Sequence, residues 1–337
     1  MRGPLGRVVV SAFAVVLALS AVSGSVHASG AGEEQGDVIG IAKIVAHPAL
    51  DAVEKGVMEE LKEQGYEVEF DLQNANGDMT TASSIANKFK TDRVSLAVGI
   101  ATPTSQALAN TLDDIPVVYS AVTDPVDAGL VASYEQGGAN ITGVSAMTPV
   151  KEQLQFFKRV AGVERLGHVY SSGEANAVRL AEMAKEAAEE LDMEFIESTV
   201  TNSAEVRQAA QSIVDKVDGI YVSTDNTVVS ALNSLVSVAD RESVPVMSAD
   251  PSSAEKYGVL AAWGFDYYQV GRATGKIVAR ILDGTDPEEI PTKFMTDRSD
   301  IDLLINRDVA DRLGISFPDD VVELASTIVE NGEIKRK

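Results

Sequence analysis

IGIAKIVAHPALDAVEKGVMEELKEQGYEVEF, residues Ile39–Phe70, returns in altered form as LGHVYSSGEANAVRLAEMAKEAAEELDMEFI, residues Leu166–Ile196. A shift of 127 residues carries Gly40 onto Gly167 and Gly65 onto Asp192, with no gap between them. The likeness continues at Ser84-Ile85 with Ser212-Ile213, at Leu96–Val98 with Ile220–Val222, and at Ile115–Val117 with Val244–Val246. In the first copy, Val38–Ala46 is an almost unbroken apolar run, and Leu50–Gln64 then places Leu50, Val53, Val57 and Leu61 on one helical face. An apolar run followed by a 3.6-residue period is the signature of a buried parallel strand feeding an amphipathic helix. Each copy repeats this alternation, so the chain reads as α/β, with two similar lobes facing each other across a cleft.

Further predicted elements follow the same alternation. In the first copy they are strands at Val68–Leu72, Ser95–Ile100 and Val117–Ala121, with helices at Thr80–Lys90 and Ser105–Thr111. In the second they are strands at Leu166–Tyr170, Glu194–Thr199, Gly219–Val222 and Val246–Ala249, with helices at Glu174–Leu191, Ala204–Val217 and Thr227–Glu242. A strand at Val259–Phe265, a helix at Tyr267–Leu282, and a strand and helix at Asp302–Leu313 complete the chain. Such a chain must cross between lobes more than once, and the expected crossings are Thr142–Pro149, Ala261–Asp266 and Pro291–Ser299. Lobe one is then 37–144 plus about 264–295, and lobe two 145–263 plus about 296–330. Grouped crossings make a hinge, and closure over a ligand is the motion such a hinge permits.

The N-terminus, with Arg2 and Arg7, an apolar stretch Val8–Val22 and the small-x-small site Val26-His27-Ala28, predicts a signal peptide over residues 1–28. That apolar stretch is shorter than the ~20 residues a membrane span needs. Cysteine is absent, so no thiol carries a lipid anchor, and the expected location is a periplasm, free of the membrane. The formal charge of −23, from 51 acidic against 28 basic residues, argues against nucleic acid as a partner. His47 and His168, the two histidines beyond the predicted leader, leave no His/Cys set for a transition metal, and no cofactor is expected. GxSxG, GxGxxG, P-loop and HExxH patterns are all missing, so the chain does not read as an enzyme.

Six short motifs carry a family resemblance: HPALD at His47–Asp51, IATP at Ile100–Pro103, VTDPV at Val122–Val126, NITGVS at Asn140–Ser145, TDNTVVSA at Thr224–Ala231 and GFDYYQVGRATG at Gly264–Gly275. In this order they resemble the ABC-transporter substrate-binding protein family that includes the tryptophan- and tyrosine-binding lipoproteins. The resemblance implies a type I periplasmic-binding-protein fold, two Rossmann-like lobes joined by a three-crossover hinge. It further implies a monomer that captures a small ligand, an amino acid with aromatic ones favoured, and delivers it to an ABC transporter permease. A periplasmic sensor, or a binder of a nucleoside-like solute, is the alternative. The missing anchor cysteine departs from the lipoprotein members and alters only localisation.

Ligands of open parallel sheets sit beyond the carboxyl ends of the strands, where helix N-termini point free N–H groups at the cleft. That rule selects His47, Thr102, Pro103, Thr104, Thr123 and Asp124 in lobe one. In lobe two it selects Ser171, Ser172, Glu174, Asn176, Ser223, Thr224, Asp225, Asn226 and Asp250. Thr102, Thr104 and Asn226 also suit helix caps, and Asp124 and Asp250 suit turns before proline. Asp225 has the uncharged Ala101 as its counterpart in the first copy, which makes it the first choice for a ligand cation, ahead of Asp250 and Glu174. An amino-acid carboxylate would sit at Thr102–Thr104 and Thr123, with the side chain near Ala46, Met147 and Pro103. Trp263 reads as packing.

Overall fold

The computed structural model describes residues 37–337, so the predicted leader at residues 1–28 lies outside the described residues. Lobe one begins with β1 (Val38–Lys43), α1 (Pro48–Glu63), β2 (Glu69–Asn74), α2 (Met79–Asp92), β3 (Leu96–Ile100), α3 (Thr102–Ala109), β4 (Val117–Val122) and β5 (Ile141–Ser145). Lobe two follows with α4 (Val150–Ala161), β6 (Arg165–Ser171), α5 (Ala175–Glu190), β7 (Glu194–Val200), α6 (Val206–Ile213), β8 (Gly219–Val222), α7 (Asn226–Ser230), α8 (Leu232–Arg241), β9 (Val246–Ser248), α9 (Pro251–Ala254) and β10 (Ala261–Phe265). The chain then returns through α10 (Tyr267–Leu282) and β11 (Lys293–Phe294). It ends with β12 (Ile301–Asn306), α11 (Arg307–Leu313), α12 (Asp319–Leu324), β13 (Thr327–Glu330) and β14 (Glu333–Arg336).

The strands form two sheets, ordered β11-β5-β4-β3-β1-β2 and β14-β13-β12-β10-β9-β8-β6-β7. All pairs of the first sheet are parallel, and so are those of the second from β7 to β10. Beyond β10, β12 turns antiparallel, a route available to a chain arriving from the other lobe. The repeat appears in the helices without adjustment, since α1 and α5 are related by the same 127-residue shift at both ends. Strands β3 and β8 are buried along their whole length, as a sheet covered on both faces requires.

Three segments pass between the sheets: Ala146–Pro149 after β5, Asp266 between β10 and α10, and 295–300 between β11 and β12. The second handover falls later than the expected position at 264. Gly264 and Phe265 still pair with Asp302 and Ile301 in lobe two, and Asp266 then caps α10 by accepting from Tyr268 and Gln269 N–H. Lobe two also extends past residue 330, because β14 closes the sheet edge. Helix α4, unanticipated from the motifs, buries Val150, Leu154, Phe157 and Val160 at helical spacing. The predicted helix Thr227–Glu242 is broken near Ala231, whose φ of −112° and ψ of 18° leave the helical region.

Helix α10 fastens the returning chain to lobe one by lying against α1. The contact is close enough to exclude side chains: a Cβ on Gly271 would stand 2.2 Å from the Val53 carbonyl oxygen, and one on Gly56 2.4 Å from that of Tyr268. Arg272 of α10 then pairs with Glu60 and Glu63 of α1, at 2.5 and 2.6 Å. Alanine is the better helix former by about 1 kcal/mol, but the blocking atoms here are backbone. Gly271→Ala is therefore expected to lower stability by about 1–3 kcal/mol, read as a shift of the urea midpoint. An unchanged or raised midpoint would show that α1 and α10 do not meet this closely.

Candidate functional site

The carboxyl ends of the parallel strands from both sheets converge on one cavity. It is lined by His47, Leu50 and Ala121 of lobe one, by Asn176, Thr224, Asp225, Asn226, Val229 and Asp250 of lobe two, and by Tyr267 at the second crossing. Its volume is about 20 Å³, room for little more than one water-sized group. A neighbouring cavity of about 100 Å³ continues the same cleft, between Ile44, Val45, Asn76 and Gly77 on one side and Glu174, Asn202, Ser203, Asn226, Thr227 and Ser230 on the other.

Two alanines at the lobe-one strand ends hold backbone conformations that L-residues rarely adopt: Ala101 after β3 has φ 79°, and Ala121 in β4 has φ 56°. Ala121 sits where the β4–β5 register shifts between Tyr119 and Val122. Strain of this kind persists only when the surroundings over-determine it, and it concentrates at binding sites. Ala101 is also the N-cap of α3, so Thr102 and Thr104 lie inside the helix instead of capping it. Thr104 Oγ1 donates back to the Ile100 carbonyl at 2.6 Å, whereas Thr102 Oγ1 is buried without a partner. Pro103 is buried in the first turn.

Lobe two divides its carboxylates between structure and cleft. Asp225 is the N-cap of α7; its Oδ1 accepts from Val228 N–H at 3.0 Å and its Oδ2 from Ser171 N–H at 2.6 Å. Complete burial, with the Glu174 carboxylate close by, pushes its acid group up to about 8, against the pull of those N–H groups. Glu174 accepts from Thr227 N–H at 2.9 Å, Thr227 Oγ1 at 2.6 Å and Asn226 Nδ2 at 2.5 Å, so it ties the start of α5 to the start of α7. Asn226 follows the cap and is not itself the cap. Asp250 caps α9 with Oδ1, at 3.1 Å from Ser253 N–H, and its Oδ2 is buried with no partner. Both Asp225 oxygens are thus engaged within the protein while Asp250 keeps one without a partner, which favours Asp250 over the expected Asp225 as a cation partner.

The remaining candidates divide similarly. His47 stands at the N-cap position of α1 without capping it, and both ring nitrogens are buried and unpartnered. Burial pushes its imidazolium below the usual range, opposed by the Asp250 carboxylate, by the neighbouring Asn226 side chain, which lies outside hydrogen-bond geometry, and by Asp51 and Glu174. Asn176 uses Nδ2 on the Thr224 carbonyl at 3.3 Å and leaves Oδ1 free. Ser223 Oγ and Thr224 Oγ1 are also buried and unpartnered. Thr123 is buried, with its carbonyl receiving Ser145 Oγ at 2.8 Å. Asp124 closes a turn through Val126 and Asp127 N–H, takes Tyr134 Oη at 2.8 Å, and faces Arg179 of α5 across the cleft at 3.9 Å. Ser172 is exposed, its N–H bonded to the Val200 carbonyl, and Ser171 serves Asp225.

Of the residues proposed to flank a side chain, Ala46 is exposed and Met147 half-buried, and neither lines the two cavities. Trp263 packs edge-on against Phe156 at 5.9 Å. The motif analysis did not select Leu50, Ala121, Val229 or Tyr267 as lining. Tyr267 had a signal, as the first helical residue after a crossing; the others are apolar residues whose direction depends on local backbone.

Comparison with known proteins places this arrangement. Residues 38–329 match the model of the family described as ABC transporter substrate binding protein. The chain is 35% identical over 275 residues to the tyrosine-binding protein of Clostridioides difficile (strain R20291), covering 80% of this chain and 79% of that one. A solved structure of an ABC domain in complex with L-Trp from Streptococcus pneumonia is 32% identical, covers 87% of this chain and 100% of its own, and superposes with a TM-score of 0.83. A ligand-free, open substrate-binding protein with adhesive properties from Clostridium difficile is 35% identical with coverages of 87% and 99%, yet its TM-score is 0.65. Fold, cleft and family model agree: the chain belongs to the ABC transporter substrate-binding proteins.

Proposed function

We propose that this protein captures an α-amino acid with an aromatic side chain, tyrosine or tryptophan, between its lobes and hands it to the permease of an ABC importer. One observation carries the reading: a cavity the size of a single ammonium group is lined by acceptors that have no partner in the protein. Asp250 Oδ2 and Asn176 Oδ1 can only accept, and His47 and Thr224 add lone pairs. Among the described residues, none of the lining side chains is Lys or Arg. A primary ammonium brings three donors and a charge that one free carboxylate oxygen balances. The ligand carboxylate then lies at the first turn of α3, where the Thr102 and Thr104 N–H groups precede the first intrahelical bond and Thr102 Oγ1 is free. The aromatic assignment is supported by the tyrosine-binding and L-Trp-bound relatives.

Capture between the lobes requires them to part at the three crossings and close again. Delivery to a permease is the reading that the family supports best, ahead of sensing. The protein acts as a monomer, and export with removal of residues 1–28 places it in the periplasm without a lipid anchor. Edman sequencing of the osmotic-shock fraction should start near Ser29.

L-Tyrosine or L-tryptophan is expected to raise the melting temperature with concentration, as any ligand selective for the folded state does, and to lower the radius of gyration in solution scattering. A bound amino acid that leaves the scattering profile unchanged would remove the hinge from the mechanism. The two carboxylates of lobe two separate site from scaffold. Asp250→Asn keeps an N-cap oxygen and loses the charge, so affinity should fall at least tenfold, about 1.4 kcal/mol, with little change in the unliganded melting temperature. Asp225→Ala removes a cap and a strand-end contact, and should lower unliganded stability by about 1–2 kcal/mol. Equal affinity for wild type and Asp250→Asn, by calorimetry, would place the ammonium elsewhere.

A further inference from the structure

His47 carries the one imidazole among the lining side chains of the small cavity, a group that becomes a cation on protonation. It comes from lobe one, Asp250 comes from lobe two, and each presents buried, unpartnered polar atoms to the same space of about 20 Å³. That space admits one cationic group. Two cations cannot share it, because each would be desolvated beside the other with a single free carboxylate oxygen between them. Building on the amino-acid reading above, we infer that the imidazolium of His47 and the ligand's ammonium are alternative cations for the free oxygen of Asp250, so that the protein exchanges its bound amino acid for a proton.

The surroundings fix the direction of the effect. Asp51, on the same helix as His47, is already held by Lys43 at 2.6 Å, and Lys43 also reaches Glu54 at 3.1 Å. Glu174 is occupied by Thr227 and Asn226, and Asp225 by two backbone N–H groups. Tyr267, from α10, keeps its phenol neutral, raised by burial and by Asp250. Asp250 is thus the partner left for a charged His47. Without ligand, His47 and Asp250 line the same space and the Asp250 carboxylate favours the imidazolium; in the complex the ammonium takes that oxygen and burial disfavours a charge on the imidazole. Binding therefore favours neutral His47. Affinity is full above the pKa of the unliganded histidine and declines as pH falls through it, and each binding event in that acid range releases a proton.

The test is calorimetry of L-tyrosine at pH 7.5, 6.5, 5.5 and 5.0 in buffers of differing ionisation enthalpy, on wild type and His47→Gln. For wild type, Kd should rise at least about fivefold from pH 7.5 to 5.0, with more than about half a proton released per ligand at the acid end. His47→Gln, whose amide accepts and donates but does not titrate, should show a flat profile and no buffer-dependent heat in this range. A flat wild-type profile overturns the inference, as does a His47→Gln profile as steep as that of wild type. A second arm needs no ligand: the two imidazoles beyond residue 28 are resolved by NMR, and the His47 titration should move to lower pH by at least about 0.5 in Asp250→Asn. An unmoved titration removes the pairing and the inference with it. Failure of L-tyrosine and L-tryptophan to bind at any pH would instead strike the amino-acid reading, with the NMR arm still deciding whether His47 and Asp250 meet.

Discussion

Lobe two buries three carboxylates, Asp225, Glu174 and Asp250, around one set of helix starts, and none of them forms an ion pair with Lys or Arg among the described residues. A buried anion costs several kcal/mol unless its lone pairs are filled. Helix N-termini fill some of them, because the first N–H groups of α7 and α9 have no intrahelical acceptor, and side chains fill others, Thr227 Oγ1 and Asn226 Nδ2 in the case of Glu174. Asp225 and Glu174 have both oxygens engaged in this way and thereby tie β6, α5 and α7 to one another. Asp250 fills one oxygen and leaves the other facing the cleft. Two of the three acids are thus satisfied at both oxygens within the protein, and the third at one.

This division explains what the sequence disclosed and what it withheld. The 127-residue offset holds between α1 and α5 at both ends, because helix periodicity and a common strand-helix order are written in the apolar pattern, although that pattern placed the helices at Leu50–Gln64 and Glu174–Leu191, one or two residues from their observed bounds. The cleft rule, that ligands gather at strand carboxyl ends, brought His47, Asn176, Thr224, Asp225, Asn226 and Asp250 to the cavity before any coordinates. It did not rank them. The asymmetry between Asp225 and Ala101 reads equally as a ligand contact or as a cap, and only the Ser171 and Val228 hydrogen bonds decide between these. Ala101 and Ala121 were illegible for a different reason: alanine carries no sign that its φ is positive, which is imposed by the register shift of β4 and the entry into α3.

Acidity also reads differently at the two scales. The overall charge of −23 is mostly surface, and it excludes classes of partner more firmly than it selects one. At the small cavity the relevant quantity is local: among its described lining residues, carboxylates come from lobe two, an imidazole from lobe one, and none is Lys or Arg. A zwitterion entering such a space brings its own compensating charge at one end. Its other end is left to backbone dipoles, which hold an anion without the bulk of a side chain.

Under the proposed amino-acid reading, the placement of the parts implies an order of events. Asp250, Asn176 and Thr224 all belong to lobe two, and their loops are held by contacts within that lobe, so the amine subsite is already formed when the lobes are apart. His47 and the α3 N-terminus belong to lobe one and reach the ligand only on closure. Tyr267 lies directly after Asp266, the single residue between β10 and α10 that hands the chain from one sheet to the other. A ligand seated on lobe two therefore presents its free end to lobe one while touching the hinge itself. Closure then follows from differential contact, since only the closed arrangement satisfies Thr102 and removes the imidazole from water. The selectivity of closure thus resides in lobe one, while the first recognition of an amine resides in lobe two.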